Sequence, residues 1–320
     1  MNGSPISFAP YVRKLKISFA YGSRKLEERR GFLLRKKSVR GFCYSEAAPL
    51  PGHSQETLDQ VEKALRKHTG APPPSLRFAL ECLEMENGPH FPVRSNALLQ
   101  WRSYPEASAD LKLFREQGYT HCKIKIAASI LEEIGELIEA NPNFLFRLDA
   151  NQSLTPNELQ RFLRIIEKRR IASKIDYLEE PFAEIWHSKA FANTPIKYAA
   201  DESAHSLQAS TELLDSLNPP GVFIVKPAVQ GGLEDLSILL DRIRMRSARA
   251  VVTSTLETEV GRRAILSFVS QRKHEVAGLS TGFLFQEKYL DDCPSWPALP
   301  TISFEEQAWL DSLSWEESAW

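Results

Sequence analysis

Apolar residues along the chain follow two regimes, and the change between them falls near residue 95. Before it the pattern is mixed. Residues 12–19 read as a strand, and 31–46 carry two β-rich runs that predict a hairpin around Lys37-Ser38. Two helices follow, over 56–68 with Ser54 as candidate N-cap, and over 75–85 behind the breaker Pro72-Pro73-Pro74. Residues 1–95 therefore predict an α+β module of their own.

From residue 96 onward the pattern is regular. Short β-rich runs at 97–101, 122–126, 144–148, 175–178, 196–199, 222–225, 250–253 and 276–279 alternate with helical stretches. The helices carry their own signals. Thr155-Pro156-Asn157-Glu158 has the form of a capping box with proline in the first turn, and Leu159, Phe162, Leu163 and Ile166 then make one apolar stripe. Ile130, Ile134, Leu137 and Ile138 make a similar stripe one unit earlier. Strands that alternate with helices predict a parallel α/β fold, and eight such units predict a (β/α)8-type barrel over residues 96–299. Residues 300–320 are expected to pack back on the N-terminal module. An open doubly wound sheet is disfavoured because no glycine-rich phosphate loop follows any strand.

Composition narrows the function classes. A chain of 320 residues, 42% hydrophobic and 25% charged with a formal net charge of −1, is an ordinary globular protein, and its charge gives no reason to expect a nucleic-acid partner. No window holds the uninterrupted apolar run of a spanning helix, and residues 1–16 lack the apolar core of a signal peptide, so the expectation is a cytoplasmic protein with no membrane partner. The four cysteines are scattered without a C-x-x-C pair and the seven histidines without H-x-H or H-E-x-x-H. A metal here is expected to be held by carboxylates.

Charged residues sit where five consecutive predicted strands run out: Lys123 and Lys125, then Asp149, Glu179, Asp201 and Lys226. The steps from Lys125 are 24, 30, 22 and 25 residues, each about one βα unit, and a barrel brings such strand ends to one mouth. Within His121-Cys122-Lys123-Ile124-Lys125-Ile126, alternation puts the isoleucines on one face and the lysines on the other. The isoleucines suit the helix layer, so both lysines point inward, where only opposite charge makes them tolerable. Three carboxylates on separate strands supply it, and they suit a hard cation such as Mg2+. Taken singly, a strand-end Asp usually caps a helix and a strand Lys usually snorkels to water. The ordered set is what carries the site.

Lys-x-Lys on the second strand, Asp, Glu and Asp on the next three and Lys on the sixth resemble the enolase superfamily, in particular its muconate-lactonising-enzyme subgroup. Within it, Glu46 to Thr57, Arg147 to Asn151 and the Leu178-Glu179-Glu180-Pro181 string resemble the o-succinylbenzoate synthases. The resemblance covers nearly the whole chain. It implies an enolase-like modified barrel with an N-terminal α+β capping domain, Lys125 as general acid/base, Lys226 as the cation opposite, and Lys123 as the group that tunes Lys125. It also implies Asp149, Glu179 and Asp201 as ligands of Mg2+, for which Mn2+ can substitute. Arg147, Asn151, Thr253, Ser254 and Gly278 are the expected substrate-binding residues.

The implied activity is a carbon–oxygen lyase reaction on a small-molecule carboxylate. It is the syn dehydration of 2-succinyl-6-hydroxy-2,4-cyclohexadiene-1-carboxylate to o-succinylbenzoate through an enediolate, a step toward menaquinone. An N-acylamino acid racemase of the same subgroup and, less favoured, a non-catalytic barrel that only binds stay open. Gly278-Leu279-Ser280-Thr281-Gly282 lacks the Asp-x-Asp by which dipeptide epimerases hold an ammonium group, which weighs against that activity. Loops around 20–30 and 49–55 are expected to govern substrate fit, with Arg24, Lys25, Arg29 and Arg30 as a basic set either for a distal carboxylate or merely solvated.

Overall fold

The computed structural model describes residues 4–21, 24–39, 41–68, 70–85, 90–187 and 194–320. The N-terminal strands β1 (Ile6–Tyr21), β2 (Arg24–Ser38) and β3 (Gly41–Ala47) form an antiparallel meander. Helices α1 (Leu58–Arg66) and α2 (Pro74–Leu83) cover it. The α1 cap differs from expectation. Thr57 caps it in a capping box with Gln60, while Ser54 Oγ accepts from Leu50 N–H in the preceding turn. The expected loop over 20–30 is also replaced, because Ala20 pairs with Lys25 and Phe19 with Leu26 as β1 and β2 continue as one long hairpin.

The remainder is wound as strand, helix, strand. It runs β4 (Val93–Arg94), β5 (Ala97–Leu99), α3 (Tyr104–Glu116), β6 (His121–Lys125), α4 (Leu131–Ala140), β7 (Leu145–Asp149), α5 (Pro156–Arg169), β8 (Ile175–Glu179) and β9 (Tyr198–Ala200). It continues through α6 (Leu207–Leu214), β10 (Val222–Val225), α7 (Pro227–Gln230), α8 (Leu233–Met245), β11 (Arg249–Val252) and α9 (Glu259–Ser270). The chain ends with β12 (Ser295–Trp296), α10 (Phe304–Asp311) and β13 (Glu316–Glu317).

Strands β5 to β11 form one parallel sheet of seven in sequence order, an α/β architecture. The eighth expected strand, 276–279, is reduced to bridges: Ala277 pairs with Ser95 and Gly278 with Thr253. Those bridges touch both edges of the sheet and show it curled round. Gly278 permits the approach, since a Cβ there would lie 2.8 Å from Thr253 Cγ2. The Thr155–Glu158 capping box forms as expected, and Leu159, Phe162 and Ile166 are buried against Ile124 and Leu148 in one core with Ile134, Leu137 and Ile138. No helix among the described residues is long and apolar enough to cross a membrane.

Buried polar groups join the N-terminal sheet to the parallel sheet. The Glu46 carboxylate at the end of β3 accepts from Thr258 N–H at 3.0 Å, Gly261 N–H at 3.0 Å and Thr258 Oγ at 2.5 Å, and Tyr11 donates to its other oxygen. It caps the N-terminus of α9 from another element. Arg13 on β1 pairs with Glu259 of α9 at 2.7 Å and stacks over the rings of Tyr289 and Trp309. The C-terminal segment returns to the same sheet: β13 pairs with β1, and Trp320 Nε1 donates to Ala64 O at 2.7 Å. Glu46→Ala strips α9 of this cap and leaves Tyr11 and Thr258 without acceptors. Urea denaturation is expected to show a loss of about 2–4 kcal/mol, with Glu46→Gln losing less.

Candidate active site

Strand register places the charged residues on one level. Lys125 pairs with Asp149 and Asp149 with Glu179 across β6, β7 and β8, and Asp201 and Lys226 directly follow β9 and β10. Alternation on β6 works as expected, with Cys122 and Ile124 fully buried among the helices and Lys123 and Lys125 turned inward. The strand ends open into a cavity of about 300 Å3. Lys123, Lys125, Asp149, Asn151, Asp201 and Lys226 line it, as do Thr253, Ser254 and Gly278. Glu179 lies beneath, fully buried.

The lysines differ in their surroundings. Lys123 Nζ bridges Asp149 Oδ2 at 2.8 Å and Glu179 Oε2 at 2.6 Å, and those anions keep its proton affinity well above the ordinary lysine value against the effect of burial. Lys226 Nζ lies 2.5 Å from Asp201 Oδ1 and 3.1 Å from His53 Nε2. Lys125 Nζ sits 4.4 Å from the centre of the Phe19 ring. Burial lowers its pKa, the charges of Lys123 and Lys226 lower it further, and Asp149 opposes them. Lys125 is thus tuned toward the free base.

Around these groups the strand-end turns are strained and cross-tied. Asn151 and Gln152 both have positive φ, 43° and 58°. Asn151 N–H donates to Asp149 Oδ1 at 3.0 Å, and its side-chain amide donates to Glu202 Oε1 at 3.0 Å. Glu180, beside Glu179 but pointing the other way, accepts from the backbone N–H groups of Asp201 and Ser203 and from Gln152. It fixes three strand ends at once.

The fit of a divalent cation follows from the oxygen set. Asp149, Glu179 and Asp201 are carboxyl groups nearly inaccessible to water and drawn from three strands; burial pushes the Glu179 carboxyl pKa up to about 8, a shift that a cation beside it would reverse, and its Oε1 is buried with no hydrogen-bond partner. An orphaned, buried carboxylate oxygen is costly unless a cation satisfies it. Among the described residues no three such groups are already gathered as a ligand cluster, because the lysines pair with them instead. The residues fit the cation, with those ion pairs loosened on binding.

Arg147 is not brought to the cavity. Its guanidinium is fully buried, bound to Asp176 at 2.9 Å and Asn96 Oδ1 at 2.8 Å, because a desolvated guanidinium needs an anion and Asp176 lies toward the other end of the strands. It reaches the cavity only through Asn96, which lines it. The basic set of the N-terminal module also divides. Arg29 is buried and donates to the carbonyls of Ala48, Pro49 (2.8 Å) and Leu256 (3.1 Å), so it clamps two loops together and is no receptor for an anion. Arg30 pairs with Glu28 and Lys25 is exposed, while the Arg24 side chain lies outside the described residues. His53, Phe19 and Glu202 line the cavity without having been singled out from the sequence. Glu202 was signalled by its place beside Asp201 and His53 by the 49–55 loop expected to govern substrate fit, although neither residue was singled out; Phe19 comes from the N-terminal module and carried no local signal.

A family model described as Enolase C-terminal domain-like matches residues 106–274, the span holding these charged strand ends. The chain belongs to this family. It is 27% identical over 307 residues to an o-succinylbenzoate synthase of Pectobacterium atrosepticum, covering 89% of this chain and 92% of that one. An o-succinylbenzoate synthase from Thermosynechococcus elongatus, solved with Mg in its active site, superposes with a TM-score of 0.75 at 24% identity, covering 96% of this chain and 99% of that one. An N-succinyl Arg/Lys racemase from Bacillus cereus superposes with a TM-score of 0.77 at 14% identity, covering 97% and 98%. At these identities the two structures establish the enolase-superfamily fold.

If Lys125 acts as a base, kcat/KM rises with pH as the lysine sheds its proton, and the inflection is expected below the ordinary lysine value of 10.5. Lys226→Gln removes one of the charges that depress it. The inflection measured on the residual activity of that variant is expected at higher pH.

Proposed function

We propose that the protein catalyses the o-succinylbenzoate synthase reaction, the syn dehydration of 2-succinyl-6-hydroxy-2,4-cyclohexadiene-1-carboxylate. The chain is a lyase of the enolase superfamily. The reading of its reaction rests on Lys125, which burial and the charges of Lys123 and Lys226 tune toward the free base; Lys226 lies against Asp201 at 2.5 Å. A dehydration on one face needs one acid/base and a fixed cation. A racemase needs two bases that exchange roles.

Lys125 takes the proton α to the substrate carboxylate, and the electron pair of that C–H bond moves into an enediolate. Asp149, Glu179 and Asp201 would hold a divalent cation, which when bound would supply Lewis-acid stabilisation of the charge that builds on the carboxylate. Lys226, four strands away on the curled sheet, stands as a fixed positive charge toward the anion. The protonated Lys125 then returns its proton to the ring hydroxyl, which leaves as water as the C–O bond breaks and the ring becomes aromatic. Asn151, Thr253, Ser254 and Gly278 line the space for the ring and its carboxylates. Arg147 orients Asn96 from beneath.

The N-terminal module, about residues 1–95, acts in this reading as the lid of a (β/α)8-type barrel over 96–299. The bridges of Ala277 and Gly278 to the two edges of the curled sheet support its closure as a barrel. A cytoplasmic enzyme with a small carboxylate as its partner, serving menaquinone synthesis, is the corresponding cellular role. N-acylamino acid racemisation is the second reading, supported by the fold shared with the Bacillus cereus racemase and by the presence of two lysines in one cavity.

Supplying the cyclohexadiene with Mg2+ and following its ultraviolet absorbance tests the proposal. Asp149→Asn, Glu179→Gln and Asp201→Asn are each expected to cut turnover by roughly 100-fold or more. Full activity after exhaustive chelation overturns the metal reading. Lys125→Ala is expected to lose about 1,000-fold or more, and dehydration that survives it sinks the mechanism. With an N-succinyl amino acid in deuterium oxide, fast exchange of both enantiomers, together with no dehydration, hands the function to the racemase.

A further inference from the structure

The segment between β3 and α1 is built to hold one imidazole over the cavity. In Leu50-Pro51-Gly52-His53, His53 N–H donates to Leu50 O at 3.0 Å and Gly52 has φ of 81°. Proline second and a positive-φ glycine third make a type II turn. Ser54 tightens it, donating from N–H to Leu50 O at 2.9 Å and accepting at Oγ from Leu50 N–H at 2.9 Å. Just upstream, the Arg29 guanidinium holds the carbonyls of Ala48 and Pro49. The turn thereby fixes where the His53 ring meets Lys226, with 3.1 Å between Nε2 and Nζ.

The direction of that hydrogen bond is set by Asp201. A lysine Nζ 2.5 Å from a carboxylate oxygen is placed as a donor, and with Lys226 donating to it as well His53 accepts at Nε2 and carries its proton on Nδ1. The neighbouring Lys226 charge and burial hold the imidazole pKa down to about 4, in agreement with a ring that stays neutral. Lys226 therefore has two acceptors, and one of them is an expected cation ligand. A divalent cation at Asp201 competes with the ammonium for the same oxygens. An ammonium only 16% exposed and stripped of its partner is costly, and His53 is the acceptor that remains.

We propose that His53 is a positioning residue that keeps Lys226 Nζ at the lid side of the cavity when Asp201 turns to a divalent cation, so that metal occupancy and the 50–54 turn are linked. The proposal rests on the metal-site reading above. Its test is calorimetric titration of the whole protein with Mg2+ alone, in the wild type, His53→Phe and His53→Gln. Gln offers an amide oxygen to Lys226; Phe fills the space without an acceptor.

His53→Phe is expected to bind Mg2+ roughly tenfold more weakly, and His53→Gln within about twofold of wild type. On the cyclohexadiene, kcat of His53→Phe falls while KM changes little. Melting temperatures in metal-free buffer serve as the control, since a merely structural role lowers them in both variants and is not rescued by Gln. Equal Mg2+ affinity in wild type and His53→Phe, or a His53→Gln as weak as His53→Phe, overturns the proposal. A wild type that takes up no Mg2+ instead removes the metal-site reading itself, and the proposal falls with it.

Discussion

Buried carboxylates and buried ammonium groups at the ends of β6 to β10 must balance one another, and the surrounding structure answers to that constraint. An unpaired charge in such a place costs several kcal/mol, so the set is tolerable only because Lys123 lies between Asp149 and Glu179 and Lys226 lies on Asp201. The same balance creates the chemical asymmetry. Lys123 lies against Asp149 and Glu179 and Lys226 against Asp201, while Lys125, over the Phe19 ring, is tuned toward the free base by burial first and then by the charges of the other two lysines.

That balance holds only if the strand ends are kept in register with one another. Glu180 ties the turn after β7 to the turn after β9, and Asn151 ties Asp149 to Glu202. Neither bond can be made by a helix or a strand alone. Each uses a side chain to satisfy backbone groups left over where regular structure stops. The positive φ values at Asn151 and Gln152 are the local cost of turning the chain so sharply beside Asp149.

A second layer of buried polar contacts fixes the N-terminal sheet over this mouth. Glu46 caps α9, Arg13 pairs with Glu259 against an aromatic cluster, and Arg29 clamps the 48–49 backbone to Leu256. These groups are costly to bury and directional once buried, so they favour one placement of the N-terminal sheet relative to the strand ends. The consequence reaches the cavity, since Phe19 and His53 come from the N-terminal module and meet Lys125 and Lys226 directly.

Local rules carried the sequence a long way. Periodicity placed the strands and helices of the α/β unit, the Thr155 capping box stands as read, and the spacing of Lys125, Asp149, Glu179, Asp201 and Lys226 predicted their convergence because a regular βα repeat converts sequence distance into angular position. What depended on long-range packing was not legible. Arg29 and Arg147 read as charges available to a substrate, but both are buried, and only the fold shows which carbonyls and carboxylates claim them. Ser54 lost the α1 cap to Thr57 because the Leu50 turn took its hydroxyl. The 49–55 loop was expected to govern substrate fit, but nothing in it singled out His53. Its partner lies 173 residues away, and no periodicity or motif in one segment encodes a contact that exists only when two elements are packed together.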